Sequence, residues 1–262
     1  MLKKLDSEKI LKEIEENGVC VIENYFDKKD LKIIEQNLLD ILNYIDSDNE
    51  KDLKTKYFKI KSSHPELKGK WYDISSFNID MLRFLHSEEI TNLVKKFFNT
   101  NVVFSGRPAI HVHDHDNDFL LEAHQETKQF ARDFFLFWAP LWDTNVENGG
   151  LTIYKNSHKQ GYFTHSIDST GSKKVWTKQY THILDKKLLS KFEKINLEVK
   201  SGSAVLLHSA CIHEGYPIKK KEALRITMTE RLNPLKKIPY LKNESAPLKI
   251  PYTGVNYNQI KD

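Results

Sequence analysis

The segment 120-LLEAHQET-127 runs from apolar residues into His124, Gln125 and Glu126. Side chains of an extended chain alternate with period two, so a histidine and a carboxylate two positions apart point the same way. One strand end can then offer a nitrogen and an oxygen to a single ion. The same tripeptide also serves as a polar turn closing a strand, and H-x-E alone is a weak signal. What decides is whether other residues of the right chemistry can join it.

Three other places supply candidates. In 111-HVHDHD-116, alternation puts His111, His113 and His115 on one face, and H-x-H pairs bind zinc in hydrolases. The dinuclear hydrolase pattern H-x-H-x-D-H is not matched, because the aspartate, Asp114, stands between two histidines. The start of a hydrated loop is an equally good reading. In 203-SAVLLHSACIHEG-215, His208 and His213 lie five apart. A regular strand sends them to opposite faces, so at most one meets an interior site, and an apolar strand often carries a histidine as a hydrogen-bonded core residue. In 222-EALRITMTE-230, Arg225 sits inside an apolar strand. A buried arginine is costly unless it meets an anion, which is either a glutamate of the chain or a ligand.

In chain order these residues read H-x-E, then a lone histidine, then an arginine on the next strand. Two histidines and one carboxylate on one side of an iron leave the opposite positions free, the facial triad of non-haem Fe(II) oxygenases. A chelating carboxylate co-substrate then needs a cation for its far end, a role that suits a bidentate guanidinium.

The elements that must position them follow from periodicity. In the first hundred residues, 7–18 reads as a helix capped by Ser7 and stopped by Gly18, 19–26 as a short strand, and 28–45 as an amphipathic helix with Leu31, Ile34, Leu38, Ile41 and Ile45 on one face. The polar, Lys-rich stretch 46–70 reads as a loop or lid-like insertion, and 87–99 as a further helix. From Val102 onward, strand-like runs at 102–104, 133–142, 151–154, 195–199, 203–212 and 224–232 are separated by Asn, Asp, Gly and Ser turns. Short strands without intervening helices point to an antiparallel sandwich or barrel. A Pro- and Lys-containing tail after Asn233 is expected to wrap the surface. The expectation is one domain over 1–262: a mainly helical front end (1–100), a β core (101–232) and a tail (233–262).

Composition sets the class. The chain has 262 residues, 39% hydrophobic and 29% charged, with 40 basic against 36 acidic residues and a net charge of +4. That suits a globular protein with a full core and argues against a nucleic-acid footprint; Lys219, Lys220 and Lys221 read as a solvated turn. Cys20 and Cys211 are far apart, the N-terminal stretch is charged throughout, and no apolar run reaches membrane-spanning length. A cytoplasmic protein acting on a small molecule, without nucleic acid or membrane span, is expected.

Taken together, the chain resembles the phytanoyl-CoA dioxygenase family of Fe(II)/2-oxoglutarate-dependent oxygenases from about Gly18 to Leu232. The segments that carry the resemblance are "GVCVIENYF" before a helix, "AHQET", "PLWDTNVENGGLTIYKNSHKQG" with Ser157, His158 and Lys159, and "GSAVLLHSACIHEG" followed by "LRITMTERL". The resemblance implies a mainly β fold with flanking helices around a double-stranded β-helix (jelly-roll, cupin-like) core. It implies Fe(II), 2-oxoglutarate and O2 as cofactors, with His124, Glu126 and His213 as iron ligands. It also implies Arg225 on the distal carboxylate of 2-oxoglutarate, Trp138 beside the co-substrate, and His111 or His113 at a cationic or polar contact. Three features depart from the family pattern. Glu126 replaces the commoner aspartate, Lys155–Asn156 replaces Pro-Gly before Ser-His, and Gly215 stands where many relatives have a hydroxyl. The implied activity is hydroxylation or another oxidation of a polar small molecule, sugar-derived or another biosynthetic intermediate, with release of succinate and CO2. Two alternatives stand beside it: a zinc-dependent hydrolase built on His111–Asp116, and a non-enzymatic jelly-roll binding module.

Overall fold

The computed structural model describes residues 5–65, 71, 74–106, 108–116, 122–126, 131–163, 166–168 and 181–236. The tail beyond 236, expected to wrap the surface, lies outside them.

The front end is helical because its apolar residues fall on single stripes and its polar residues cap the ends. Helix α1 (Ser7–Asn17) is capped by Asp6, whose carboxylate accepts from the Lys9 N–H, so the cap lies one residue before the expected Ser7. Gly18 ends the helix at a positive φ of 79° and leads into β1 (Val19–Ile22). Helix α2 (Lys28–Ile45) buries Leu31, Ile34, Leu38, Leu39 and Leu42, with Ile41 and Ile45 at the margin of the same cluster. The stretch read as a lid contains a helix, α3 (Leu53–Ser63). Leu53, Tyr57 and Ile60 form its buried stripe, while Lys56 is wholly buried between Asp46 and Asp48, which neutralise it. Lysine density there hid a narrow apolar face. Two more helices follow, α4 (Ile79–Leu85) and α5 (Glu88–Phe98), the latter capped by Ser87 and closed by Asn99 in the left-handed conformation.

The strands form two antiparallel layers. The larger sheet contains β1, β2 (Val103–Ser105), β3 (Ala109–Asp114), β4 (Phe135–Pro140), β9 (Ala204–His208) and β11 (Leu224–Pro234), in the order β1-β9-β4-β11, with β3 and β2 sharing the far edge of β11. The smaller sheet is β10-β5-β8, built from β5 (Gly150–Tyr154), β8 (Lys194–Leu197) and β10 (His213–Tyr216). A pair, β6 (Ser166–Asp168) with β7 (Thr181–Ile183), stands apart from both. The run 203–212, expected as one strand, is a strand and a turn: β9 ends at His208, residues Ser209–Ile212 turn, and β10 begins only at His213, in the other sheet. The parity argument that separated His208 from His213 therefore does not apply, although the two do end up in different places.

Core residues sort by sheet face. Phe135, Phe137, Ala139, Ile226, Met228 and Leu232 pack with the helices, whereas Leu136, Trp138, Leu151, Ile153, Val205 and Leu207 pack between the sheets. At about 1.5–3 kcal/mol for each fully buried large apolar side chain, the two layers of contact fix which face of β11 looks inward. That inner face carries Arg225, Thr227, Thr229 and Arg231.

Candidate functional site

The H-x-E segment is held by backbone pairing to the start of β10. His124 N–H donates to the His213 carbonyl and His213 N–H to the His124 carbonyl, both at 3.0 Å, and Glu126 N–H donates to the Ser209 carbonyl at 3.1 Å. This antiparallel bridge sets the two imidazoles side by side, with ring centroids 4.5 Å apart. Gln125, between the two candidate ligands, points the other way and is fully engaged. Its amide donates to the Gly161 and Ala210 carbonyls at 2.8 and 2.7 Å and accepts from Phe163 N–H at 2.8 Å. Period-two alternation thus gives the tripeptide one structural and two chemical positions.

One nitrogen from each of His124 and His213 and one oxygen of Glu126 lie within 4.8 Å of one another, and among the described residues no other cluster of three ligand-type side chains comes together. Each Nδ1 is committed to a backbone carbonyl two residues back: His124 to Glu122 at 2.7 Å and His213 to Cys211 at 2.9 Å. With Nδ1–H donating, each Nε2 keeps its lone pair, the tautomer that a metal requires. Burial pushes the His124 pKa down to about 4 and lowers that of His213, so both rings are neutral at pH 7. Burial would raise the Glu126 carboxyl, but Arg231, His124 and His213 outweigh it and hold it at about 2. Two neutral imidazoles and a carboxylate fit a divalent transition metal.

Arg225 lies on the same inner wall. Its Nη1 donates to the Gly150 carbonyl at 3.0 Å and the Tyr216 carbonyl at 3.2 Å, while its buried Nε has no hydrogen-bond partner. Among the described residues no carboxylate pairs with it, so the ion pair with a glutamate is not what holds this charge. Burial lowers its pKa to about 10, which still leaves a cation at neutral pH. Gly149 makes room for the guanidinium: at φ 77°, an added Cβ would sit 2.8 Å from Arg225 Nη1. The Gly-Gly turn at 149–150 is therefore a fitting for the arginine on one side and for the Tyr216 ring on the other.

A sequence model of the family described as phytanoyl-CoA dioxygenase (PhyH) matches residues 14–223. The chain belongs to the phytanoyl-CoA dioxygenase family. No curated protein matches it. Solved structures similar to it include the alpha-ketoglutarate-dependent epimerase SnoN from nogalamycin biosynthesis, at 12% identity and a TM-score of 0.57 over 87% of this chain and 83% of SnoN. EctD from S. alaskensis matches at 10% identity and a TM-score of 0.59, over 89% of this chain and 79% of EctD. The non-heme monooxygenase ThoJ matches at 12% identity and 0.58, over 86% and 77%. These likenesses establish the cupin-like jelly-roll core. The phytanoyl-CoA dioxygenase family uses Fe(II), 2-oxoglutarate and O2, and Fe/2-oxoglutarate-dependent oxygenase chemistry is the activity class of this member.

His111 and His113 stand on the inner face of β3, which is a strand and not the start of a hydrated loop, and pair in register with Thr227 and Arg225 of β11. Asp114 faces the opposite side, where it accepts from Tyr57 Oη at 2.5 Å and Lys61 Nζ at 3.0 Å. Among the described residues the stretch 111–116 thus assembles no group of three metal ligands, which the zinc hydrolase reading needs. Trp138 is buried between the sheets in register with Thr229. His208 lies among Phe97, Phe98 and Phe135, and its Nδ1 accepts from Ala210 N–H at 3.1 Å. His158 contacts the Glu15 carbonyl at 3.0 Å and covers Gly18, where an added Cβ would lie 2.5 Å from its ring. The Ser-His-Lys segment therefore ties α1 to the core.

One residue of the site was absent from the sequence reading. Arg231 Nη2 donates to Glu126 Oε1 at 3.0 Å, and its Nη1 donates to Thr229 Oγ1 at 3.1 Å. The signal for it existed: 231 shares the strand parity of 225.

No helix among the described residues is long and apolar enough to cross a membrane.

Proposed function

We propose that this chain is an Fe(II)- and 2-oxoglutarate-dependent hydroxylase of a polar small molecule, with His124, Glu126 and His213 holding the iron. The observation that carries the reading is the triad itself, with both Nδ1 atoms tied to backbone carbonyls and both Nε2 atoms left to a metal. Arg225, a buried cation with no carboxylate partner among the described residues, would receive the distal carboxylate of 2-oxoglutarate. Trp138 walls the co-substrate side, and His111 and His113 offer polar contacts to co-substrate or substrate. When bound, iron with 2-oxoglutarate and O2 supplies the oxidising power, and the balance is one C–H converted to C–OH with release of succinate and CO2. The chain's own part is to orient the chelate, to keep water from the inner sheet faces, and to hold three positions while leaving others open. Halogenation is disfavoured because Glu126 fills the position that a halide would need.

The test is an anaerobic titration with Fe(II) and 2-oxoglutarate, followed by the visible charge-transfer band of the chelate. The wild type is expected to show the band with one iron per chain. His124→Ala and His213→Ala should abolish it and iron-dependent 2-oxoglutarate turnover, while His208→Ala retains both. If both ligand variants keep the band, the assignment is wrong.

A further inference from the structure

We propose that Arg231 is a positioning residue: it holds one oxygen of Glu126 so that the carboxylate meets the metal through a single oxygen. This rests on the proposed iron site. Glutamate has one more rotatable bond than aspartate, and a carboxylate can bind a metal through one oxygen or two. Two-oxygen binding by Glu126 would occupy a position that the keto acid needs. The geometry supplies a restraint. Arg231 Nη2 donates to Glu126 Oε1 at 3.0 Å, and the two side chains retain only 12% and 13% of their accessible surface. The arginine is steered in turn, because its Nη1 donates to Thr229 Oγ1 at 3.1 Å and that hydroxyl lies 3.2 Å from His111 Nε2.

A line of contacts thus runs His111–Thr229–Arg231–Glu126, all from the inner faces of β3 and β11 to the H-x-E segment. A charge-assisted bond of this kind is short, directional and about twice as strong as a neutral one. It commits one carboxylate oxygen and leaves the other for the metal. Arg225, six residues earlier on the same strand face, makes no such bond among the described residues. The two arginines have separate tasks.

Cobalt(II) in place of iron separates them, since its visible spectrum reports coordination number without turnover. Arg231→Gln is expected to bind one Co(II) per chain with a spectrum shifted toward higher coordination, and to bind 2-oxoglutarate at least about tenfold more weakly than wild type. Arg231→Lys, which keeps a donor, should restore much of both. Arg225→Leu should weaken 2-oxoglutarate but leave the Co(II) spectrum recorded before its addition unchanged. If Arg231→Gln matches wild type in spectrum and in 2-oxoglutarate affinity, the inference is overturned. Should Arg231→Gln fail to fold, Thr229→Val, which removes only the steering hydroxyl, replaces it: a shift in the same direction supports the inference, and wild-type behaviour overturns it. A wild type that binds no metal at all would sink the proposed function; a wild type that binds metal but is indifferent to Arg231 sinks only this inference.

Discussion

The inner and outer faces of β11 each bury charge, and they satisfy it in different ways. On the outer face, among Ile226, Met228 and Leu232, Glu230 is fully buried and its carboxylate meets four donors among the described residues. These are His86 Nε2 at 2.6 Å, Ser105 Oγ at 2.7 Å, Arg231 N–H at 2.6 Å and Gly106 N–H at 3.2 Å. On the inner face, Arg225 has carbonyl partners for Nη1 and, among the described residues, none for Nε and no carboxylate. A buried ion costs several kcal/mol unless it is paired. The outer charge is compensated by the chain itself and therefore belongs to the fold. The inner one is left incomplete, as expected where a ligand supplies the missing half.

The largest expected effect comes from breaking the outer face. Glu230→Ala strips four donors of their acceptor in a buried place, a loss of about 3–5 kcal/mol. For a chain of this size that lowers the melting temperature by on the order of 10 °C. Thermal unfolding followed by circular dichroism reads it. A variant that melts like wild type would mean that water or another group replaces the carboxylate, and the contrast between the faces would lose its outer half.

Arg225→Leu should do the reverse. Removing a buried cation that has no counter-ion among the described residues should not destabilise, and an apolar replacement can stabilise. The melting temperature should hold or rise. Affinity for 2-oxoglutarate should fall by at least roughly thirtyfold, the equivalent of losing a buried charge-assisted pair worth about 2–5 kcal/mol. Calorimetric titration of the metal-loaded protein gives the number. An unchanged affinity would hand the role to another cation, with Lys155 or Lys159 next in line.

How legible this was in the sequence varies by residue, for physical reasons. Arg225 stood out because a charge inside an apolar strand is costly, whereas His124 and Glu126 offered only an H-x-E pair, a weak signal alone, and their roles as ligands came from the family resemblance. The helices over 28–45 and 87–99 were readable because their apolar residues repeat at helical spacing. Helix α3 was not, since its buried face is only Leu53, Tyr57 and Ile60 and its lysines dominate the composition. His213 was reached by family resemblance, while the parity argument beside it assumed one strand where the chain turns at Ser209–Ile212 between two sheets. Arg231 escaped because its worth depends on a partner 105 residues earlier in the chain. Strand parity with Arg225 placed it on the right face, but nothing local names Glu126.

The smallest expected effect sharpens the outer face through pH. His86 donates from both ring nitrogens when protonated: Nδ1 lies 2.8 Å from the Leu82 carbonyl and Nε2 lies 2.6 Å from Glu230. The Glu230 contact, against the opposing effect of burial, raises the His86 pKa above its usual 6.5. A histidine whose folded pKa exceeds its unfolded value stabilises fully below the unfolded value, and that contribution is lost as pH rises through the folded one. Stability should therefore decline from about pH 6.5 upward by an amount traceable to this pair. His86→Gln keeps a hydrogen-bond donor toward Glu230 but cannot titrate, so its melting temperature should be flatter than that of wild type across this window, while the iron–2-oxoglutarate band, which arises on the inner face, keeps its wild-type intensity. A wild-type slope in His86→Gln would assign the pH dependence to another group, and a weakened band would show that the two faces of β11 are not independent.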